Sequence, residues 1–287
     1  MMGTMKDGRP RSLTAILTMI VLGVLWTVPT IGLLVTSFRS REDAATSGWW
    51  RMFTDPLGGG WTVENYTRLF AGTSMGDTLL NSVIVAVPGT VLPIMLAAYA
   101  AYAFTFMRFP GKDVLFILIV ALMVVPIQVA FQPLLDLFGP RGLGLNGQFV
   151  AVWLLHSGFG MPLAIYTLRN YMATLPTSVI ESAKIDGASH FQTFWRLVAP
   201  MSSPAIAAFA TLQFLWVWND LLIAKLFLGG GANRTIIVDL QQMLGTQGQG
   251  AELLTAGAFL SMIIPMIVFF SLQRFLVRGM TAGSVKG

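Results

Sequence analysis

The sequence predicts an all-α, polytopic membrane protein with six transmembrane helices and both termini in the cytoplasm. Of its 287 residues, 55% are hydrophobic and only 11% are charged, which is too little charge to cover the surface of a soluble domain. About 20 helical residues cross a hydrocarbon core of roughly 30 Å, and six apolar stretches reach that length. The predicted spans, all within one transmembrane domain over residues 1–287, cover residues 13–38, 79–106, 114–135, 149–168, 204–227 and 253–277.

The distribution of Lys and Arg gives the orientation. The N-terminal segment, the second and fourth loops and the C-terminal tail carry most of the 18 basic residues, whereas the opposite loops are net acidic. Loops rich in Lys and Arg stay in the cytoplasm, so the first set is cytoplasmic. The same bias accounts for the net charge of +5, and it predicts contact with anionic headgroups of the lipid bilayer and no nucleic-acid partner.

The first span is predicted to be retained in the mature protein. The hydrophobic region of a cleavable signal peptide is about 7 to 15 residues long and ends in a small-residue cleavage site, which residues 13–38 lack. A loop of about 40 residues follows, and its aromatic side chains, among them Trp49, Trp50 and Trp61, predict a belt at the outer interface. The absence of cysteine excludes disulfides and thiolate metal sites.

The second, third and fourth spans contain few polar side chains. Gln128 and Gln132 in the third span are candidates to line a cavity, and His156 in the fourth is predicted to donate an interhelical hydrogen bond. Prolines inside the spans predict kinks, either static ones or hinges, at Pro29, Pro93, Pro126, Pro162 and Pro265.

The loop over residues 176–203 predicts an amphipathic helix-turn-helix in the cytoplasm. Ser178 and Glu181 have capping-box spacing at its start, and Ser189 and Gln192 repeat that spacing. Between them Gly187 is the residue that most readily adopts the left-handed conformation that closes a helix. The pattern therefore predicts two short helices joined by a rigid turn.

The second of these helices carries an apolar face. Phe191, Phe194, Trp195 and Val198 follow one another at i, i+3, i+4 and i+7. Part of this face is expected to pack on the cytoplasmic ends of the spans. The remaining surface, with the turn and the residues Ala183 and Ala188, is expected to contact a partner outside the bilayer.

The fifth span has a polar and aromatic cluster in its outer half, formed by Trp216, Trp218, Asn219 and Asp220. A charge in a span costs roughly 2.5 to 3.5 kcal/mol unless it faces protein or water. Aromatic faces beside hydrogen-bonding groups suit a sugar, and Trp216 and Asn219, three residues apart, are expected to share a helical face. In the alternative interpretation Asp220 pairs with a backbone donor or a partner subunit, and both tryptophans serve packing.

The loop over residues 176–203 resembles the EAA loop of ABC importer permeases. The matching positions are Glu181, Ser182, Ala183, Asp186, Gly187, Ala188, Pro200 and Pro204, with Ser182 in place of the usual Ala. The similarity extends to Asn81-Ser82, Phe109-Pro110-Gly111, Trp218-Asn219-Asp220 and the C-terminal residues 277–287. Together these motifs resemble the carbohydrate-uptake branch of the family, specifically its MalG-like subunits.

This resemblance implies a type I ABC importer permease fold in the cytoplasmic (inner) membrane of a bacterium or archaeon. The implied partners are a MalF-like second permease, a MalK-like ATPase dimer and an extracytoplasmic substrate-binding protein. The residues implied to couple to the ATPase are Glu181, Ala183, Asp186, Gly187, Ala188, Phe191, Phe194 and Pro200, with a further contact from Lys286 and Gly287 in the tail.

No Gly-rich loop ending in Gly-Lys-Ser or Gly-Lys-Thr occurs in the sequence. The subunit is therefore expected to be non-catalytic and without a cofactor of its own, with ATP and Mg bound by the partner ATPase. The expected substrate is a disaccharide or α-glucoside, and glycerol-phosphate compounds are the alternative. Two other classes of membrane protein are less consistent with the sequence. A polytopic enzyme acting on lipid-linked substrates would need a cluster of acid, base or metal-ligating groups, and a secondary transporter would show inverted repeats or paired intramembrane charges. The sequence shows none of these features.

Overall fold

The computed structural model describes residues 12–56, 58, 60–243 and 250–282, with side chains as far as Phe275. In these residues the backbone is nearly all helical, as the sequence predicts, and its one extended pairing is an isolated bridge between Arg39 and Trp61. The chain forms two compact units. One comprises residues up to 74 with 242–260, and the other comprises residues 75–241 with those from 261 onward.

The first unit begins with a long apolar helix. Its helices are α1 (Leu13–Ser37), α2 (Arg41–Thr46), a 3-10 turn (Trp49–Phe53) and α3 (Glu64–Gly72). Most side chains of α1 are exposed in the isolated chain, and Trp26 is 85% exposed. A helix that is apolar on every side requires lipid or another subunit around it.

The segment after α1 is folded around a buried arginine. The Arg39 guanidinium donates hydrogen bonds to the carbonyl oxygens of Ser47 and Asp43, each at 2.7 Å. The Asn65 amide in turn donates to the carbonyls of Ser37 and Arg39, at 3.0 and 2.8 Å. A buried charge is tolerated only when it is hydrogen-bonded in this way, so the long loop predicted here is an ordered structure.

The second unit contains the remaining helices, of which the last two also contribute residues to the first unit. They are α4 (Met75–Phe106), α5 (Lys112–Ala121), α6 (Phe131–Phe138), α7 (Phe149–Met172), α8 (Thr177–Ile185), α9 (His190–Thr193), α10 (Ala199–Met201), α11 (Ser203–Trp218), α12 (Leu222–Phe227), α13 (Ile236–Met243) and α14 (Ala251–Ala282). Two 3-10 turns, Leu122–Val124 and Ile127–Ala130, lie between α5 and α6, and a π-helical segment, Phe194–Val198, lies between α9 and α10.

Helices α4 and α7 pack against each other along small residues. Ala97 and Ala101 of α4 and Ala164 of α7 are fully buried, and small side chains allow two membrane helices to approach closely. The indole of Trp153 on α7 also donates a hydrogen bond to the carbonyl of Ile84 on α4, at 2.8 Å. Within the second unit this helix pair provides the frame on which the other helices lie.

Four helices of the described residues are long and apolar enough to cross a membrane, and two sharply bent helix pairs pass the same test together. The single helices are Leu13–Ser37, Met75–Phe106, Phe149–Met172 and Ala251–Phe275. The bent pairs are Lys112–Val124 with Ile127–Phe138, at 95°, and His190–Met201 with Ser203–Trp218, at 74°.

The third predicted span is sharply bent at Pro126, where the sequence predicts a kink. The chain bends between Val125 and Pro126, both of which have extended backbone angles. Proline lacks an N–H and disfavours helical angles in the residue before it, so the helical hydrogen bonds stop there. The helix is continuous through the other four prolines, Pro29, Pro93, Pro162 and Pro265.

The fifth predicted span, over residues 204–227, is interrupted in the structure. Helix α11 ends at Trp218, and α12 begins at Leu222. The Asp220 carboxylate accepts a hydrogen bond from the backbone N–H of Ala224 at 3.1 Å, and thereby caps α12. Asp and Asn side chains compete with helical hydrogen bonds in this manner, which accounts for the interruption at Asn219 and Asp220.

Candidate functional site

The turn between α8 and α9 has the geometry predicted for Gly187. Gly187 has a φ of 75°, and its N–H donates to the carbonyl of Lys184 at 3.1 Å. The N–H of Ala188 donates to the carbonyl of Ala183 at 2.9 Å. These two bonds form a Schellman motif, which satisfies the last carbonyls of α8 and fixes the direction of the chain as it leaves the helix.

Helix α9 begins with the predicted capping box. The Ser189 hydroxyl accepts from the backbone N–H of Gln192 at 3.2 Å, and the Gln192 side chain accepts from the N–H of Ser189 at 3.0 Å. Since the Schellman motif ends one residue before this box, the turn is constrained from both sides. It is therefore a stiff connection between two helices.

The capping box predicted at Ser178 and Glu181 is absent. Helix α8 begins at Thr177 directly after Pro176, whose extended conformation ends the preceding chain, and no side chain caps this end. Ser178 consequently lies inside the helix, too late in the chain to serve as the cap. Glu181 is exposed.

The apolar face of the helix-turn-helix divides into a buried and an exposed half. Phe194 and Val198 are buried, and the Phe194 ring stacks on Tyr99 of α4 with a centroid separation of 4.4 Å. Phe191 and Trp195 are 66% and 43% exposed. The π-helical segment Phe194–Val198 contains the buried residues, so this helix is anchored to α4 and presents the other two rings outward.

The other residues predicted to couple to a partner lie around the turn. Ala183 is buried, whereas Asp186, Gly187 and Pro200 are exposed and Ala188 is partly exposed. Beside them on α4, the hydroxyl of Tyr102 is hydrogen-bonded to His190 Nδ1 at 2.9 Å. The predicted tail contacts, Lys286 and Gly287, lie outside the described residues.

A cavity of about 700 Å³ lies beside the break in the third predicted span. Its lining has no charged side chain and contains one amide, that of Gln213. The lining residues are Leu122, Met123, Val125, Pro126, Ile127, Ala130, Leu134, Phe138, Leu154, Leu155, Gly158, Phe159, Gly160, Pro162, Leu163, Gln213 and Trp216.

Of the five residues predicted to line a pathway, the structure places Trp216 on this cavity. Gln128 and Gln132 are exposed, and neither belongs to the cavity lining. Asn219 is exposed and donates to the carbonyl of Leu215 of its own helix at 2.8 Å. Asp220 is the cap of α12 described above.

The prediction for His156 was wrong. The side chain is fully buried, and among the described residues neither ring nitrogen has a hydrogen-bond partner. Its Nε2 lies 3.8 Å from a carboxylate oxygen of Asp220, the one that accepts from the backbone N–H of Ala224. The imidazole instead packs edge-on against the Trp216 ring, with centroids 5.5 Å apart.

Gln213 was not singled out in the sequence, although it is the polar residue on the cavity wall. It is 3% exposed, and its Nε2 donates to the carbonyl oxygens of Gly89 and His156, at 3.2 and 3.4 Å. The amide therefore lies where α4, α7 and α11 meet. A glutamine three residues before Trp216 in an otherwise apolar helix was the available sequence signal.

The chain is similar to known transport proteins in sequence and in fold. Residues 89–282 match the family model described as "Binding-protein-dependent transport system inner membrane component". The chain is 49% identical over 272 residues to the "Osmoprotective compounds uptake permease protein GgtD" of Synechocystis sp., covering 94% of this chain and 91% of the relative. It is 38% identical to the "Alpha-glucoside transport system permease protein AglG" of Rhizobium meliloti, covering 94% and 96%.

A similar fold occurs in a solved structure described as a bacterial ABC transporter involved in the import of the acidic polysaccharide alginate. The TM-score is 0.75 at 21% sequence identity, and the match covers 93% of this chain and 99% of the other. At that identity the likeness concerns the fold alone.

Proposed function

Because the chain belongs to the family of binding-protein-dependent transport system inner membrane components, we propose that it imports an uncharged disaccharide or α-glucoside. The protein is a multi-pass, non-catalytic permease subunit of an ABC importer in the inner membrane, and its family works with a substrate-binding protein and an ATPase. The single observation that carries the substrate proposal is the 38% identity, over 94% of the chain, to a permease named for α-glucoside transport.

The cavity supports an uncharged substrate over glycerol-phosphate compounds. Its lining has no lysine, arginine or histidine side chain that could neutralise a phosphate, and an unpaired charge is costly in an apolar cavity. An uncharged sugar carries no such penalty. The cavity is part of the proposed translocation pathway, in which we include Trp216, Asn219, Asp220, Gln128 and Gln132.

In our proposal the bent pair Lys112–Val124 with Ile127–Phe138 is the third span and α11 with α12 is the fifth, which gives six spans in a single transmembrane domain with cytoplasmic termini. The helix-turn-helix of residues 176–203 then lies in the cytoplasm and contacts a MalK-like ATPase dimer, while a MalF-like permease completes the pathway. The exposed rings of Phe191 and Trp195 and the rigid turn support this role, since a stiff element transmits force without bending.

Transport assays with the complete system test the substrate proposal. Proteoliposomes containing this subunit, its partner permease and the ATPase, supplied with the binding protein, are expected to accumulate radiolabelled trehalose, sucrose or maltose when ATP is enclosed. An excess of unlabelled glycerol 3-phosphate should not compete. ATP-dependent uptake of glycerol 3-phosphate without uptake of any of the three sugars would establish the alternative.

The C-terminal tail is proposed to contact the ATPase dimer through Lys286 and Gly287. Helix α14 extends to Ala282, so deletion of residues 283–287 leaves the described helix intact. We expect this deletion to lower the number of sugar molecules imported per ATP hydrolysed, with membrane insertion unchanged. The same ratio as in the wild type, at equal amounts of protein, would show that the tail has no coupling role.

A further inference from the structure

We propose that Gln213 and Trp216 form a preorganised contact for one sugar ring on the cavity wall, and that His156 positions both. The inference rests on the proposed import of an uncharged disaccharide or α-glucoside and adds the residues that touch it. Neither Gln213 nor His156 was a candidate for the pathway from the sequence.

The orientation of the Gln213 amide follows from its neighbours. Its Nε2 is within hydrogen-bond distance of two backbone carbonyl oxygens, those of Gly89 and His156, and an amide oxygen cannot take that place because it has no proton to donate. The Oε1 atom has no hydrogen-bond partner among the described residues and is not sealed from solvent. Since Gln213 lines the cavity, this acceptor is available to a ligand there.

Trp216 lies three residues further along α11, on the same helical face and on the same cavity. Its ring is 38% exposed, and the ring of His156 packs against it at an interplanar angle of 85°. The backbone carbonyl of His156 holds the Gln213 amide as well. One fully buried residue of α7 therefore contacts both, the aromatic ring through its side chain and the Gln213 amide through its backbone carbonyl.

This pairing matches the chemistry of an uncharged sugar. A pyranose ring has an apolar face of C–H groups, which suits an aromatic surface, and hydroxyl groups at its edge, which can donate to a carbonyl oxygen. Pockets for small molecules commonly combine an apolar lining with a few placed polar groups of this kind. The remaining lining is apolar, so the contact is weak enough for a sugar that has to leave again.

The test uses the complete transporter in proteoliposomes with saturating binding protein and radiolabelled trehalose, sucrose and maltose. The measured quantity is sugar imported per ATP hydrolysed. Gln213→Met removes the acceptor while keeping the side-chain length, and losing one such hydrogen bond should lower the ratio about 3- to 10-fold. Trp216→Leu should lower it by a similar factor, whereas Trp216→Phe, which keeps an aromatic face, should stay within about twofold of the wild type.

A further variant displaces the amide without removing it, and another serves as its control. A Cβ atom at Gly160 would lie 2.7 Å from Nε2 and 2.9 Å from Oε1 of Gln213, so Gly160→Ala should push the amide aside and lower the ratio as Gln213→Met does. Gly76→Ala is the matched control, because a Cβ atom at that helical glycine meets nothing within 4 Å.

The outcomes separate the inference from the proposed function. If the wild type imports none of the three sugars, the proposed function fails and the inference with it. If the wild type imports a sugar and Gln213→Met and Trp216→Leu keep its ratio, the inference alone is overturned. If stimulated ATP hydrolysis and complex assembly of these variants fall together with their sugar uptake, the inference is overturned too, because the residues would then be structural.

Discussion

Gly187→Val is expected to abolish sugar uptake while leaving the protein inserted in the membrane. Gly187 has a φ of 75°, a conformation that costs an L-residue about 1 to 2 kcal/mol and a β-branched one more. A Cβ atom there meets nothing within 4 Å, so the penalty lies in the backbone and not in a clash. Valine should therefore open the Schellman motif and redirect α9, with loss of the proposed ATPase contact.

Asparagine provides the matched control at this position. Asn tolerates the left-handed conformation better than other non-glycine residues, so Gly187→Asn should retain most of the uptake. Both variants would be compared by uptake in proteoliposomes and by the amount of ATPase subunit that co-purifies. Normal co-purification and uptake with valine would show that the turn geometry is not required for coupling.

Phe194→Ala is expected to detach the helix-turn-helix of residues 176–203 from the rest of the second unit. The Phe194 ring is 3% exposed, stacks on Tyr99 and packs edge-on against Tyr102 with a centroid separation of 5.6 Å. Truncating a buried phenylalanine to alanine typically costs about 3 to 5 kcal/mol. A lower temperature of thermal unfolding of the detergent-purified subunit would report this loss.

Phe191→Ala separates this anchoring role from the proposed docking role. The Phe191 ring is 66% exposed, so its removal should change the unfolding temperature little. Because that ring belongs to the proposed ATPase contact, less ATPase should co-purify. Equal destabilisation by the two alanine variants would contradict the division of the apolar face into a buried and an exposed half.

The lengths of the apolar segments predicted the long helices, and the capping residues predicted the turn. The left-handed Gly187 and the box formed by Ser189 and Gln192 follow from local chemistry, which is why the sequence alone identified them. The box at Ser178 failed because Pro176 decides where α8 begins, and a spacing rule does not weigh that residue.

The interruption of the fifth predicted span and the cavity contact were harder to predict. Average hydropathy measures composition and not chain direction, so the interruption at Asn219 left the apolar count of that span unchanged, whereas Pro126 marked the bend in the third span. The role proposed for Gln213 depends on the hydrogen bonds from its amide to the carbonyls of Gly89 and His156, which belong to two other helices. Such long-range partners are fixed by packing, and residue spacing within one helix does not contain them.

The π-helical segment Phe194–Val198 makes the number of residues in this helix matter as much as their identity. A π-helical turn accommodates one more residue than an α-helical turn, and each residue turns a helix by about 100°. Removing one residue from the segment would rotate Phe191 relative to the part of the helix that is anchored on α4. It would then present a different side of α9 to the proposed ATPase partner. Chains that use this arrangement can exchange apolar side chains here more readily than they can gain or lose a residue.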